Sequence, residues 1–375
     1  KAAELAKMGE VLTNGQIGGR RNIVINGAMQ VAQRATQVTG IGASGGYQTV
    51  DRWQISVDNT DGRFTMDQST DAPSGFAYST KLTCTTADTA IAAGEILQFQ
   101  TKLEGQDLQL LKKGTSDAEK VTVSFYVKGN ASATYTCELH DRDNTRYNGQ
   151  EFSVTTSWTR VILTFAGDTT GALDNDNAVS MSLNFNLHGG GTYTDGTFSS
   201  NTWHTTANQR FGDNQTSFFD STDRTFFITG IQMEVGSVAT PFEHRSFGEE
   251  LKLCERYFEI IFDGSDAGTD FSSYFPYVGM GHGFKSDQIH TMWNANTEKR
   301  THGGTVSFAT STSNYQYRNS STVKSGNNLV APSAGNTKRW FLGYLGGSQS
   351  SITEQSAWSL KLNNSACKCT WDSEL

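Results

Sequence analysis

The sequence predicts a mainly β protein: an antiparallel β-sandwich or jelly roll, followed by a second, smaller β-rich domain and preceded by a short N-terminal helix. Polar and apolar residues alternate in several runs, among them residues 121–127, 159–165 and 226–233. Such alternation places one strand face in a core and the other in water, as in antiparallel sheets. Turn sequences separate the runs, and the 375 residues include 38 Gly but only 4 Pro. This composition is typical of short strands joined by tight turns.

Residues 2–12 predict a short helix with one apolar stripe. Leu5, Met8 and Leu12 follow i, i+3, i+7 spacing, and a helix of about three turns is marginal by itself in water. Two alternatives remain open. The stripe packs on its own domain, or it is a trimer seam at the end of a parallel coiled coil that joins three chains. The sequence starts at Lys1 without a signal peptide, from which we expect a fragment of a longer protein.

Changes in pattern divide the chain into three parts. Residues 1–21 are the helix and a glycine-rich linker, residues 22–246 the sandwich, and residues 247–375 a C-terminal β-rich domain. Residues 247–261 carry apolar side chains at roughly helical spacing behind a Glu-Glu pair, which favours a helix N-terminus. The C-terminal domain is therefore predicted to open with a short helix.

Composition and charge exclude several classes of function. The formal net charge is −8 and no run is rich in Lys or Arg, so we expect no binding to nucleic acid. No stretch of about eighteen apolar residues is present, which predicts no membrane insertion. The five cysteines are odd in number and irregular in spacing. A disulfide framework is therefore not indicated, and synthesis in a reducing cytoplasm is the simpler interpretation.

The sequence carries no motif that predicts catalysis. It has no phosphate-binding loop, no dinucleotide fingerprint and no His-Glu-x-x-His pair, so we expect no enzyme and no cofactor. A weak calcium candidate is the acidic turn with Asp174, Asp176 and Asn177, because oxygen-rich loops suit a hard cation. Polar turns between strands use the same residue types, which is the simpler interpretation.

Aromatic residues concentrate in the C-terminal region and are candidates for binding a receptor. Exposed rings stack on the faces of sugars, while neighbouring amides and hydroxyls bond to the sugar hydroxyls. The alternative is that most of these rings lie in a core or at a trimer interface. The candidates are Tyr274, Tyr277, Trp293, Tyr315, Tyr317 and Trp340.

Five motifs occur in an order that resembles one known family. They are residues 21–34 (RNIVINGAMQVAQR), 51–53 (DRW), 121–129 (VTVSFYVKG), 230–243 (GIQMEVGSVATPFE) and 372–375 (DSEL). The chain resembles phage tail-fibre and related virion structural proteins that carry a carbohydrate-binding-module-like jelly roll. The resemblance spans most of residues 21–260, whereas residues 262–370 match nothing in the family.

The resemblance implies a non-catalytic, homotrimeric virion component that is synthesised in the host cytoplasm. From it we expect a tail fibre or other external appendage of the virion. Such a chain would contact other virion proteins through its N-terminal end and bind a host cell-surface glycan or other receptor. Two alternatives stay open: a capsid fibre, decoration or other purely structural virion protein, and a carbohydrate-binding module of a wall- or capsule-degrading enzyme.

Some motif residues also predict local structure. Trp53 is expected to be a buried indole that anchors the first strand, with the charges of Asp51 and Arg52 in water. Glu243, His244 and Arg245 are expected either to form an exposed ion pair, which would stabilise the fold little, or to bridge to a neighbouring chain.

Overall fold

A computed structural model describes residues 21–264, 277–285, 288–302, 304–308, 315–318, 323–325, 329–330, 338–345, 352, 356–362 and 367–375. The predicted N-terminal helix, with Leu5, Met8 and Leu12, lies outside the described residues, and its role as a trimer seam stays a prediction. Within the described ranges, no helix is both long and apolar enough to cross a membrane.

The chain divides into two compact units. The first ends at Glu250 and also includes Leu375, and the second runs from Leu251 to Glu374. The second unit thus begins at residue 251, four residues after the boundary predicted at residue 247.

The first unit is an antiparallel β-sandwich. Its described strands are β1 (Gln37–Ile41), β2 (Gly46–Tyr47), β3 (Gln54–Asp58), β4 (Arg63–Ser69), β5 (Ser79–Thr86), β6 (Ile96–Glu104), β7 (Val121–Gly129), β8 (Ala133–Asp141), β9 (Arg146–Val154), β10 (Thr159–Phe165), β11 (Val179–Gly189) and β12 (Thr225–Val235). The first sheet has the order β1-β4-β5-β12-β7-β10 and the second β2-β3-β6-β11-β8-β9. Short helical turns lie in the connections, at Gly105–Asp107, Gln109–Leu111, Gly191–Thr194 and Ala207–Gln209. The predicted fold class is confirmed.

The two sheets enclose one continuous apolar core. Phe125 of the first sheet meets Phe185 of the second edge to face, with ring centroids 4.9 Å apart. Trp53 is fully buried, stacks on Phe99 at 4.8 Å and donates its indole N–H to the carbonyl of Asn26 at 3.1 Å. Burial of a ring of this size contributes about 2–3 kcal/mol. The prediction of a buried indole at Trp53 is confirmed, but the strand that it precedes is β3 and not the first strand.

The charges beside Trp53 are buried, so the expectation that they lie in water is wrong. The Asp51 carboxylate accepts hydrogen bonds from the main-chain N–H and the side-chain amide of Gln33, at 3.1 and 2.5 Å, and lies 3.6 Å from Arg34. Arg52 donates through Nη2 to the main-chain carbonyl of Lys102 at 2.7 Å. A buried charge is costly unless it is paired or hydrogen-bonded, and these partners supply that compensation.

The opening segment is held by the residues that follow the last sandwich strand. Glu243 Oε2 accepts the main-chain N–H groups of Arg21 and Asn22, at 2.8 and 2.5 Å. Arg245 donates through Nη2 to the carbonyl of Asn22 at 2.5 Å. The Glu243 and Arg245 side chains are 20 and 9 % exposed, so the expectation of an exposed ion pair is wrong, whereas a bridge to a neighbouring chain stays a prediction. The first and fourth motifs of the resemblance therefore meet in space.

The predicted helix after the sandwich is present as Phe247–Glu255. Ser246 caps it: the Ser246 hydroxyl and main-chain N–H donate to Glu249 Oε2, at 2.8 and 3.0 Å. In return, the main-chain N–H of Glu249 donates to Ser246 Oγ at 3.3 Å. This reciprocal arrangement is a capping box, which satisfies a donor that the first helical turn leaves unpaired. The hydrogen bond from the Ser246 side chain lowers the pKa of Glu249.

The second unit is also rich in β-strands. Those described are β13 (Phe258–Asp263), β14 (Tyr277–Lys285), β15 (Gln288–Asn294), β16 (Thr305–Phe308), β17 (Tyr315–Arg318), β18 (Val323–Ser325), β19 (Leu329–Val330), β20 (Trp340–Leu345), β21 (Ala357–Leu362) and β22 (Lys368–Asp372). In the described part they form sheets of order β13-β22-β16 and β18-β17-β21-β14-β15-β20-β19. Cys367 and Cys369 are buried in this unit's core, and all five cysteines are buried and outside any disulfide.

Candidate functional site

The outer face of the second sheet is mostly polar. Strand alternation turns the apolar side chains of β6 and β11 into the core and leaves amides and hydroxyls on the other side. Gln100 of β6 lies opposite both Gln54 of β3 and Asn184 of β11. Because facing residues of antiparallel strands share a side, the polar groups of adjacent strands form continuous rows.

Residues 190–217 cover one half of this face. Arg210, in that segment, donates from Nε and Nη2 to the two carboxylate oxygens of Glu138 on β8, each at 2.8 Å. Its guanidinium also lies 4.5 Å from the ring centroid of Tyr147 on β9. Burial alone would raise the pKa of Glu138, but the charge and hydrogen bonds of Arg210, with smaller contributions from His140 and Asn184, together outweigh burial and lower the pKa. The pair is therefore ionised and fixes the segment to the sheet.

Two buried histidines lie on the same face. His188 makes contacts of 2.9 Å to Glu95 and 2.8 Å to Ser217, and burial lowers its pKa against the opposing effect of Glu95. Burial also lowers the pKa of His140, to about 3. These imidazoles are neutral near pH 7, and the covered half of the face is a closed polar layer.

The other half of the face is open and forms a groove of about 420 Å³. We call it the β3–β6 groove, after the strands that supply its floor. Its described lining residues are Gly45, Gly46, Gln54, Ile55, Ser56, Val57, Gln100, Lys102 and Arg142. A smaller cavity of about 350 Å³ lies by residues 189 and 212–217. The groove has the richer set of side-chain donors and acceptors and is the better candidate site.

A chain of hydrogen bonds orders the side chains of the groove. Gln100 donates through Nε2 to Gln54 Oε1 at 2.9 Å. Arg142, just after β8, reaches back across β11 and donates to Ser182 Oγ and Gln100 Oε1, each at 3.3 Å. Arg142 is exposed as a residue, but its guanidinium lies partly buried against Ser182 and Gln100, and this burial lowers its pKa. Among the described residues it forms no ion pair. The groove thus presents oriented amides and an accessible guanidinium.

Three of the six aromatic residues predicted to bind a receptor are buried. Trp293, Tyr315 and Tyr317 are 6, 1 and 0 % exposed and belong to the core of the second unit. Their polar atoms are also occupied, as in the 2.6 Å contact between the Tyr317 hydroxyl and Thr291 Oγ1. The prediction that these three rings stack on a receptor is wrong, because alternation on β15 and β17 turns them inward.

The other three aromatic candidates differ in what the structure describes. Trp340, at the start of β20, is 39 % exposed, so its ring is accessible. Tyr277 begins β14, and its side chain lies outside the described part of the chain. Tyr274 lies outside the described residues altogether.

The calcium candidates do not form a ligand cluster. Asp176 Oδ1 accepts the main-chain N–H of Ala178 at 2.8 Å, and its carbonyl accepts the N–H of Gln106 at 2.8 Å, so it shapes a turn. Asp174 and Asn177 lie in the same loop. The described residues contain no group of three or more His, Cys, Asp and Glu side chains that could hold a metal ion.

Sequence reasoning missed the residues of the groove. Gln54, Gln100 and Arg142 are single polar residues in ordinary alternating runs. The signal that could have found them was the run of outward positions on β6 and β11, which are amides and hydroxyls on both strands. Which half of that face is open depends on the long connection between β11 and β12, and its course cannot be derived from local pattern.

Comparisons with known proteins give partial similarities of fold. No protein-family model matches the chain, and no curated protein matches it in sequence. A solved carbohydrate-binding module of family 4 aligns with 56 % of this chain and 97 % of its own, at 11 % identity and a TM-score of 0.29. The xylan-binding CBM22-1 domain of Paenibacillus barcinonensis Xyn10C covers 58 % and 96 %, at 12 % identity and a TM-score of 0.28.

A phage protein is also among the similar structures. The enzymatically active domain of tailspike protein 4 of bacteriophage CBA120 aligns with 57 % of this chain but only 21 % of its own, at 11 % identity and a TM-score of 0.30. At these scores, the assignment of the sandwich rests on the strand order and core described above.

Proposed function

We propose that this chain is a non-catalytic fibre or spike protein of a bacteriophage virion, acts as a homotrimer, and binds a host cell-surface glycan in the β3–β6 groove. The observation that carries glycan binding is the open, amide-lined groove on the outer face of the sandwich. The assignment to a virion depends on the five sequence motifs and their order.

The groove matches the hydrogen-bonding needs of a sugar. Each sugar hydroxyl both donates and accepts, and a glutamine amide has two donors and two acceptor lone pairs. The Gln54–Gln100 contact fixes the orientation of both amides before any ligand binds. Arg142 has five donor N–H groups, of which its contacts with Ser182 and Gln100 use two. Such preorganisation lowers the entropic cost of binding.

The experiment is adsorption of the fluorescently labelled chain to candidate host cells, with and without a blocked groove. Ser56→Trp places an indole in the groove from a half-exposed position on β3. Ser153→Trp is the matched control, because Ser153 is exposed on β9, the opposite edge strand of the same sheet. We expect saturable staining and blocking of infection by wild type and Ser153→Trp, and loss of both for Ser56→Trp. Equal staining by all three would contradict the proposal.

The trimer and the absence of catalysis are tested separately. Native mass spectrometry of the chain is expected to give three copies per particle. Incubation of host polysaccharide with the chain is expected to leave its length unchanged on a sizing column. A folded trimer that binds no cell would favour the purely structural virion role instead.

A carbohydrate-binding module of a degradative enzyme remains the second candidate, because the same groove would serve it equally well. The sequence upstream of Lys1 separates the two. A coiled coil or virion-anchoring segment there supports the fibre, and a catalytic domain supports the enzyme module.

A further inference from the structure

The β3–β6 groove carries positive charge that neutral sugars do not need. None of its described lining residues has a carboxylate side chain, whereas two, Lys102 and Arg142, are cationic. The chain as a whole has a formal net charge of −8, so the charge of the groove is opposite in sign to the net charge of the protein. Local charge of one sign recruits and orients ligands of the opposite sign.

Arg142 is placed to bind rather than to stabilise the fold. Two other arginines of this unit are paired with carboxylates, Arg146 with Asp168 at 2.7 Å and Arg210 with Glu138 at 2.8 Å. Arg142, by contrast, contacts only neutral oxygens among the described residues, at 3.3 Å, and is exposed. A guanidinium binds carboxylate or phosphate through two parallel hydrogen bonds, which are about twice as strong as neutral ones.

Lys102 extends the charge along β6. Its side chain is half-buried, and Nζ donates to the main-chain oxygen of Leu375 at 2.9 Å. The buried guanidinium of Arg52 bonds to the Lys102 carbonyl. Lys102 therefore adds positive charge at this end of the groove, and Arg142 supplies the exposed cation.

We propose that the groove selects acidic glycans, with Arg142 as the residue that binds the anionic group of a sugar, either a carboxylate or a phosphate ester. This inference rests on the proposed function and adds the class of ligand to it. The amides of Gln54 and Gln100 bind the hydroxyls of the same sugar or its neighbour.

The test is an array of acidic glycans printed beside their neutral counterparts. In one set of pairs, glycans that contain uronic or nonulosonic acids are compared with the same glycans after reduction of the carboxyl group. In the other set, phosphorylated glycans are compared with the same glycans after dephosphorylation. The chains compared are wild type, Arg142→Gln, Ser56→Trp and Arg160→Gln. Arg160 is a control for loss of one positive charge, since it lies on β10 in the first sheet and bonds to the carbonyl of Thr240.

We expect wild type and Arg160→Gln to bind at least one acidic glycan about tenfold or more tightly than its neutral counterpart. Arg142→Gln should lose that preference, because a hydrogen bond to a charged group contributes about ten- to hundredfold in affinity. The carboxyl-reduced and dephosphorylated arms show which anion is recognised. Raising the salt concentration should weaken only the acidic arm.

The remaining outcomes separate this inference from the proposed function. Equal binding of acidic and neutral partners that Ser56→Trp abolishes would leave a glycan groove and overturn acidic selection. Unchanged binding by Arg142→Gln would overturn the role of Arg142. Absence of binding to the whole array, with Ser56→Trp no different from wild type on cells, would overturn both.

Discussion

Arg210 and Glu138 form a two-point ion pair beneath the covered half of the second sheet, with Nε–Oε1 and Nη2–Oε2 distances of 2.8 Å. Glu138 is fully buried. Removal of one member of such a pair leaves an uncompensated charge and costs about 3–5 kcal/mol. We therefore expect Arg210→Met to lower the free energy of unfolding by that amount, measured by chemical denaturation.

The double variant Glu138→Gln/Arg210→Met is the control for this first prediction. It removes both charges and keeps an acceptor for the side-chain amide of Asn184, which bonds to Glu138 Oε2 at 2.8 Å. We expect it to recover at least half of the loss, and hydrogen exchange in residues 190–217 to be fastest in the single variant. A single variant as stable as wild type would show that the pair does not hold this segment.

Stability is expected to fall below pH 7 because of His140. Burial holds the pKa of the folded side chain at about 3, whereas an unfolded histidine has a pKa of about 6.5. The unfolded state therefore binds the proton first, so stability is complete above pH 6.5 and is lost as the pH falls towards 3. Between pH 7 and pH 5 this one group accounts for about 2 kcal/mol.

His140→Phe isolates that effect. Its Nδ1 is buried without a hydrogen-bond partner among the described residues, so a phenyl ring replaces it at little cost. The ring contact with Tyr147, 4.5 Å between centroids, remains possible. We expect a melting temperature at pH 7 equal to or above that of wild type and a smaller decrease by pH 5. A pH dependence identical to that of wild type would exclude His140 as its source.

Two glycine substitutions are expected to have opposite effects. A Cβ on Gly27 would lie 2.0 Å from the carbonyl oxygen of Ile231, the residue that donates its N–H to the Gly27 carbonyl at 2.9 Å. Gly27→Ala should therefore cost about 3 kcal/mol or more, or prevent folding. Around Gly248, in the helix after the sandwich, no described atom beyond the helix backbone lies within 4 Å of the position that a Cβ would take. Gly248→Ala should therefore add about 0.5–1 kcal/mol. Thermal unfolding measures both, and a harmless Gly27→Ala would refute the close approach.

The capping box at Ser246 gives a prediction with two readouts. Ser246→Ala should lower the free energy of unfolding by about 1 kcal/mol, as for other N-cap losses. It should also raise the pKa of Glu249, because the hydrogen bond from the Ser246 side chain is the largest cause of the lowered pKa and is lost. An NMR titration of the Glu249 carboxyl checks the second effect, and an unchanged pKa would rule out the capping contact in solution.

Local pattern was enough to predict the architecture of the sandwich. Alternation identified strands such as β7 and β12, and the composition around Trp53 marked it as a core residue. The sequence pattern gives wrong predictions of burial where a side chain is surrounded by segments that are distant in the sequence. Charge alone predicts that Asp51 and Arg52 lie in water, because the sequence does not show that the fold supplies Gln33 and the Lys102 carbonyl as partners.

The candidate site shows the same limit more clearly. Aromatic content pointed to Trp293, Tyr315 and Tyr317, but a ring that can stack on a sugar can equally fill a core, and these three do. Arg142 carried no signal in the sequence, since a single arginine in a turn is common in any soluble protein. Its importance comes from its reach over β11 towards Gln100, which is a tertiary property.

Strand β12 is the last strand of the sandwich in the chain, yet it lies in the middle of its sheet, between β5 and β7. During synthesis, the ribosome therefore releases β5 and β7 long before the strand that joins them. The facing edges of β5 and β7 stay unpaired until residues 225–235 are synthesised. The hydrogen bond from the Asn22 N–H to Glu243 forms later still. Unpaired edges of this kind attract other chains. Translation that stalls before Thr225 is thus expected to yield a chain that aggregates or recruits chaperones. The sandwich can be completed only late in synthesis.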